Sequence, residues 1–158
     1  MNLLLKKKKL RKILTLERKK IKKHANTQFN IDVFDQLKKY IDFEKVTDVA
    51  SFVSINSEIS TDQLNKKIIE LGKKLSLPVI KKNSETLTFR EVNANTRFKL
   101  GKFNIPEPEN ENGEVLPQLI FVPCLGFDLK GFRLGYGGGF YDKTFARFKK
   151  KKILNFIQ

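Results

Sequence analysis

A chain of 158 residues and 18.3 kDa suits one domain with a core of its own, and at 40% hydrophobic residues it needs no staples to fold. Its single cysteine, Cys124, excludes an internal disulfide, and no apolar run is long enough to cross a bilayer, so the expectation is a cytoplasmic, monomeric protein without membrane contact. The formal charge of +15 suggests an anionic partner, but it rests on 26 Lys against 6 Arg, and nucleic-acid recognition favours the forked guanidinium.

Residues 3–23 read as a helix, with Leu10, Ile13, Leu14 and Ile21 at helical spacing and lysines opposite. A second helix is expected over about 28–41, with Val33, Phe34, Leu37 and Ile41 on one side. Residues 46–53 read as a buried strand and 54–58 as a loop. Ser60 with Gln63 makes a capping box ahead of Leu64, Ile68, Ile69 and Leu71, and Gly72 stands where that helix should end. Strands are expected over 75–80 and 86–92, the second alternating in polarity. Residues 93–117, punctuated by Pro106, Pro108, Gly113 and Pro117, read as a long ordered loop of the kind that carries function. A strand over 118–123, a helix over about 138–150 and a strand over 153–157 complete the chain. This alternation predicts a single-domain α/β fold of three layers, a mostly parallel, Rossmann-like sheet with helices on both faces.

Chemistry concentrates in LIFVPCLGFDLKGFRLGYGGGFYDK, residues 119–143, where a strand and a turn lead into Gly135, Gly137, Gly138 and Gly139 ahead of a helix. Backbone N–H groups at such a helix start close on phosphate, and the helix dipole favours the negative charge. The same glycines also suit a plain tight turn. No Gly-Lys-Ser/Thr follows, so this is not a P-loop. Asp142 in the first helical turn offsets the dipole by about 0.3–1 kcal/mol. Beside a phosphate it meets a larger effect, since like charges about 4 Å apart repel by roughly 4 kcal/mol at an effective dielectric of about 20. A divalent cation such as Mg²⁺ would resolve that repulsion. On residue type alone, Glu58 is a solvated loop acid, Lys6 to Lys9 an exposed face, Cys124 a small buried side chain and His24 an exposed one.

PCLGFDLKGFRLGYGGGFYD resembles the signature segment of the 5-formyltetrahydrofolate cyclo-ligase (methenyltetrahydrofolate synthetase) family. Lys7-Lys8-Lys9-Leu10-Arg11, the stretch from Ser54 to Thr61, and Phe103-Asn104-Ile105-Pro106-Glu107-Pro108 resemble three further family segments in the right order. The resemblance implies ATP-dependent cyclisation of 5-formyltetrahydrofolate to 5,10-methenyltetrahydrofolate, with no protein nucleophile. It places ATP on Lys7, Lys8, Lys9, Leu10 and Arg11 and on Arg133, Leu134, Gly135, Tyr136, Gly137, Gly138, Gly139, Phe140 and Tyr141. It places the folate on Val53, Glu58 and Phe103 and on Tyr136, Gly137, Gly138, Gly139 and Phe140, and Mg²⁺ on Asp142. Family members are expected to continue past Gln158 with more sheet and a second metal-binding acid, so residues 1–158 read as one domain without that extension. The rival readings are a catalytically impaired folate-binding relative and a basic RNA-binding protein using Lys19 to Lys23 and Lys149 to Lys152.

Overall fold

The computed structural model describes residues 2–22, 34–109 and 114–150. His24, Gly113, Lys151, Lys152, the first part of the expected 28–41 helix and the expected strand over 153–157 lie outside the described residues. Helix α1 spans Leu3–Lys22, and residues 34–37 make one helical turn of the expected second helix. Then follow β1 (Asp48–Ala50), α2 (Asp62–Glu70), β2 (Lys74–Val79), β3 (Thr88–Val92), β4 (Phe98–Leu100), β5 (Pro106–Pro108), β6 (Leu119–Ile120), β7 (Gly126–Phe127), β8 (Arg133–Leu134) and α3 (Phe140–Lys150).

The central sheet has the order β3-β2-β1-β6 and is mixed: β1 pairs in parallel with both β2 and β6, while β3 runs antiparallel to β2. Side-chain alternation along these strands sorts the core into two clusters. Val49 and Leu75 face each other in register and share one cluster with Leu64 and Ile68 of α2, four residues apart on one helical stripe, and with Phe34 and Phe43. Ala50, Leu87 and Phe89 share the other with Phe148 of α3. Phe89 and Phe148 are among the largest fully buried side chains, with ring centroids 6.4 Å apart. Truncating either to alanine costs about 3–5 kcal/mol.

Helix α3 is also pinned through polar contacts. The Leu87 N–H donates to Thr144 Oγ1 at 2.8 Å, and Arg147 donates to the Leu87 carbonyl at 2.9 Å. Both backbone groups of a residue just outside β3 are thereby satisfied by one helix, which fixes where α3 begins and so where the glycine turn ends.

Several local expectations need correction. The Ser60–Gln63 capping box does not form: Thr61 is the N-cap residue without a side-chain cap bond, and Ser60 bonds Asp62 instead. Gly72 does close α2, with φ of +70°. The expected 46–53 and 118–123 strands shrink to three and two residues. The 93–117 stretch is not one loop, because β4 and β5 form an antiparallel pair within it and Val115 bridges to Phe89. On α1, Leu10, Ile13 and Ile21 are exposed, and the partly buried stripe is Arg11, Leu14, Thr15 and Arg18.

Candidate functional site

The loop after β1 ties itself into a fixed shape. Ser54 Oγ donates to the Ile59 carbonyl at 2.8 Å and accepts the Thr61 N–H at 2.8 Å, while the Thr61 hydroxyl donates to the Phe52 carbonyl at 2.6 Å. Inside this ring the Glu58 N–H donates to the Ile55 carbonyl and the Ile55 N–H donates back to Glu58 Oε2, each at 2.9 Å. Glu58 is 4% exposed; its Oε1 is buried and makes no well-aligned hydrogen bond, the Tyr136 hydroxyl being the side-chain donor that interacts with this carboxylate. A buried carboxylate oxygen left unpaired costs of the order of several kcal/mol, so the site is built to receive a donor. Val53 stands half-buried at the loop's start.

Facing this loop is the stretch from Cys124 to Tyr141. Burial pushes the Tyr141 hydroxyl's pKa up, and the Glu58 charge pushes it the same way. Burial likewise raises Tyr136 and Cys124, and the Glu58 charge adds to both. One carboxylate therefore acts on three neighbours across the gap. A raised thiol pKa leaves less of Cys124 as the reactive thiolate.

The glycine turn takes its shape from Gly137 and Gly139, whose φ values of +111° and +70° suit glycine. Beyond it α3 starts at Phe140, two residues later than expected, and presents its N-terminal N–H groups to the turn. Between β6 and the turn, β7 and β8 form a short antiparallel hairpin in which the Leu125 N–H donates to the Leu134 carbonyl at 2.8 Å.

Helix α1 bridges the two halves with two arginines, two helical turns or about 10 Å apart. Arg11 Nε donates to the Gly135 carbonyl at 2.8 Å, and its guanidinium carbon would lie 3.4 Å from a Cβ at Gly137. Arg18 donates to Ser57 Oγ at 3.1 Å, to the Cys124 carbonyl at 3.0 Å and to the Tyr136 hydroxyl, with its guanidinium 5.2 Å from the Tyr136 ring centre. Sequence reading missed Arg18 because it treats a basic helical residue as solvated. Its signal is the spacing of two turns from Arg11 on a helix whose inward stripe is otherwise short of apolar residues. Of the remaining N-terminal candidates, Lys7, Lys8, Lys9 and Leu10 are exposed.

Arg133 reaches the start of α3 from β8. It stacks 5.7 Å from the Tyr141 ring centre and 5.3 Å from that of Phe145, and it pairs with Asp142. The Asp142 side chain is 76% exposed. Among the described residues no group of three or more His, Cys, Asp or Glu converges on a metal position. A single exposed carboxylate beside helix N–H groups does fit Mg²⁺ held largely by phosphate oxygens and water, with oxygen as the ligand type throughout. Phe103 stands at the edge of the site, 64% exposed, its ring meeting Phe140 edge-on at 6.0 Å. Phe103 and Asn104 have φ of +64° and +56°. For a bulky residue such as Phe103 this costs about 1–2 kcal/mol, whereas asparagine tolerates the left-handed region better.

The chain matches the 5-formyltetrahydrofolate cyclo-ligase family over residues 4–156. It is 34% identical over 119 residues to the 5-formyltetrahydrofolate cyclo-ligase of Haemophilus influenzae, covering 72% of this chain and 64% of that protein. Against the Escherichia coli K12 protein of the same name it is 33% identical over 109 residues, covering 66% and 60%. The matched stretch thus spans less than two thirds of these relatives' length. A solved 5,10-methenyltetrahydrofolate synthetase from Aquifex aeolicus superposes with a TM-score of 0.71 at 30% identity, covering 89% of this chain and 72% of that one. The Mycoplasma pneumoniae synthetase, at 17% identity and a TM-score of 0.61, shares the fold.

Proposed function

The chain belongs to the 5-formyltetrahydrofolate cyclo-ligase family, and from that premise we propose that it closes 5-formyltetrahydrofolate to 5,10-methenyltetrahydrofolate at the expense of ATP. The formamide oxygen is a poor leaving group. Transfer of the γ-phosphoryl group to it releases ADP and leaves an iminium-like phosphate ester. N10 of the same molecule then attacks the formyl carbon, its proton is lost to the departing phosphate or to water, the C–O bond breaks, and inorganic phosphate leaves. Nucleophile and electrophile share one molecule, so positioning and charge stabilisation are the protein's main tasks.

The single observation that carries this reading is the buried Oε1 of Glu58, which has only the Tyr136 hydroxyl near it and no well-aligned hydrogen bond. A pterin presents ring N–H donors that suit a carboxylate acceptor. Arg18 ties the two sides of the site together, bonding Ser57 beside Glu58 and the Tyr136 hydroxyl opposite. At the other end of α1, Arg11 holds the Gly135 carbonyl and so shapes the turn whose N–H groups would cradle the nucleotide phosphates. Asp142 would hold Mg²⁺ there, and the metal would neutralise phosphate charge; Asp142 would exchange its partner Arg133 for the ion. Tyr136 and Phe140 would flank the folate, with Phe103 at the rim. We read the two apolar clusters on opposite faces of the sheet as a three-layer, Rossmann-like arrangement in a cytoplasmic monomer.

The test is absorbance of the conjugated methenyl product on mixing protein, 5-formyltetrahydrofolate, ATP and Mg²⁺. Growth of that band only when all three additions are present is the expected result. Its absence at saturating concentrations of each would overturn the proposal.

A further inference from the structure

We propose that Glu107 is a positioning residue for the folate side of the site: its buried carboxylate holds the 101–105 turn in the one shape that brings Phe103 against Phe140. The inference rests on the functional reading above and adds to it a residue that touches neither substrate.

Glu107 lies in β5, opposite Lys99 of β4, and is 4% exposed. Its carboxylate occupies the place that a side chain at residue 101 would need. A Cβ on Gly101 would fall 2.1 Å from the Glu107 carboxyl carbon and 2.4 Å from each oxygen, so any side chain there would displace this carboxylate. The Ile80 N–H donates to Oε1 at 3.3 Å, and the Lys102 N–H also stabilises the carboxylate. One side chain thus ties the end of β2 to the start of the turn. Burial raises the carboxyl's pKa against the pull of these amides, Lys99 and Arg90, as expected of a group held for its geometry in a dry place.

The turn needs such a support. The Gly101 N–H donates to the Ile105 carbonyl at 2.9 Å and the Asn104 N–H to the Gly101 carbonyl at 3.2 Å. Two successive non-glycine residues, Phe103 and Asn104, stand in the left-handed region. Conformations of this kind persist only where the surroundings over-determine them. The product is an aromatic ring held at the edge of the glycine turn, with Lys102 Nζ 5.5 Å from its centre and 5.2 Å from that of Phe140. Strain, support and exposure converge on where that ring stands.

Steady-state kinetics of the full chain, varying each substrate in turn, provide the first test. Glu107→Ala should raise the KM for 5-formyltetrahydrofolate about three- to tenfold, the scale of one aromatic contact, with kcat and the KM for ATP within about twofold. Near-isosteric Glu107→Gln should recover most of the loss. Phe103→Ala, at an exposed position that tolerates truncation, should reproduce the same split. The second test is timed tryptic digestion with mass-spectrometric mapping, where cleavage after Lys102 should quicken in Glu107→Ala and stay slow in Glu107→Gln. An unchanged folate KM in Phe103→Ala, equal rises in both KM values in Glu107→Ala, or no quickening after Lys102 would overturn the inference. Absence of ring closure in the unsubstituted chain would instead remove the functional reading, leaving digestion to decide the turn's support.

Discussion

Two carboxylates assigned to ligands could hardly be held more differently. Glu58 is buried, its loop closed by its own hydroxyls, one oxygen fixed by a backbone N–H and the other left open. Asp142 is exposed on the first turn of α3 and held by a single guanidinium that also stacks on two rings. On the proposed function, the folate side would be shaped before its ligand arrives, whereas the nucleotide side would have its carboxylate parked on an arginine. A preorganised acceptor costs little to use at the moment of binding. A parked one would have to change partners, so the proposal predicts that metal and nucleotide binding are coupled.

The contrast breaks most visibly at Asp142. Asp142→Asn should lower the rate of ring closure by about 100-fold or more, the scale of losing one charge-stabilising group at a phosphoryl-transfer site. Its stability should stay within about 0.5 kcal/mol, because the side chain is exposed. Thermal melting beside the absorbance assay checks both halves, and undiminished turnover would remove Asp142 from the metal's ligands.

The two arginines of α1 sharpen the comparison at a smaller scale. Each makes bonds worth about 1 kcal/mol, so substitution should cost roughly fivefold. Arg11→Ala should raise the KM for ATP and spare that for folate, while Arg18→Ala should do the reverse. If both variants weakened both substrates equally, α1 would be a common strut rather than two separate contacts.

The smallest effect concerns pH. Glu107 has its carboxyl pKa raised in the folded chain, so the native state binds that proton more tightly than the unfolded one. Its contribution to stability is therefore greatest below the ordinary glutamate range and falls as pH rises through the interval up to the raised value. Glu114 and Glu85 are lowered by Lys81 and Lys143 and act in the opposite sense. The comparison must accordingly be made against Glu107→Gln, whose melting temperature should vary less between about pH 4 and 7. Parallel curves for the two proteins would show that the group carries no such linkage.

What the sequence made legible follows physical range. Gly72 and the glycine turn are local matters of φ, and both stand where reading placed them. Helix α2 announces itself through Leu64, Ile68 and Leu71, which pack as expected, while Ile69 of the same expected stripe is exposed. The β4–β5 and β7–β8 pairs were invisible because strands of two or three residues leave no periodicity, and their register comes from tertiary contacts. Helix α1 misled for another reason. Its inward stripe is made largely of polar side chains bonding to loops, so Leu10, Ile13 and Ile21 looked like the packing face and are not. Glu58 read by itself was an ordinary loop acid; only the family segment around it singled it out, and the surrounding hydroxyls explain why it is buried.

The most direct measurement of the central claim is calorimetric binding of 5-formyltetrahydrofolate and of Mg²⁺–ATP to Glu58→Gln. Charge-assisted hydrogen bonds are worth about 1.5–3 kcal/mol, so the folate should bind about 10- to 150-fold more weakly while the nucleotide binds as before. Folate affinity equal to that of the unsubstituted chain would contradict the assignment of that open carboxylate oxygen to the pterin.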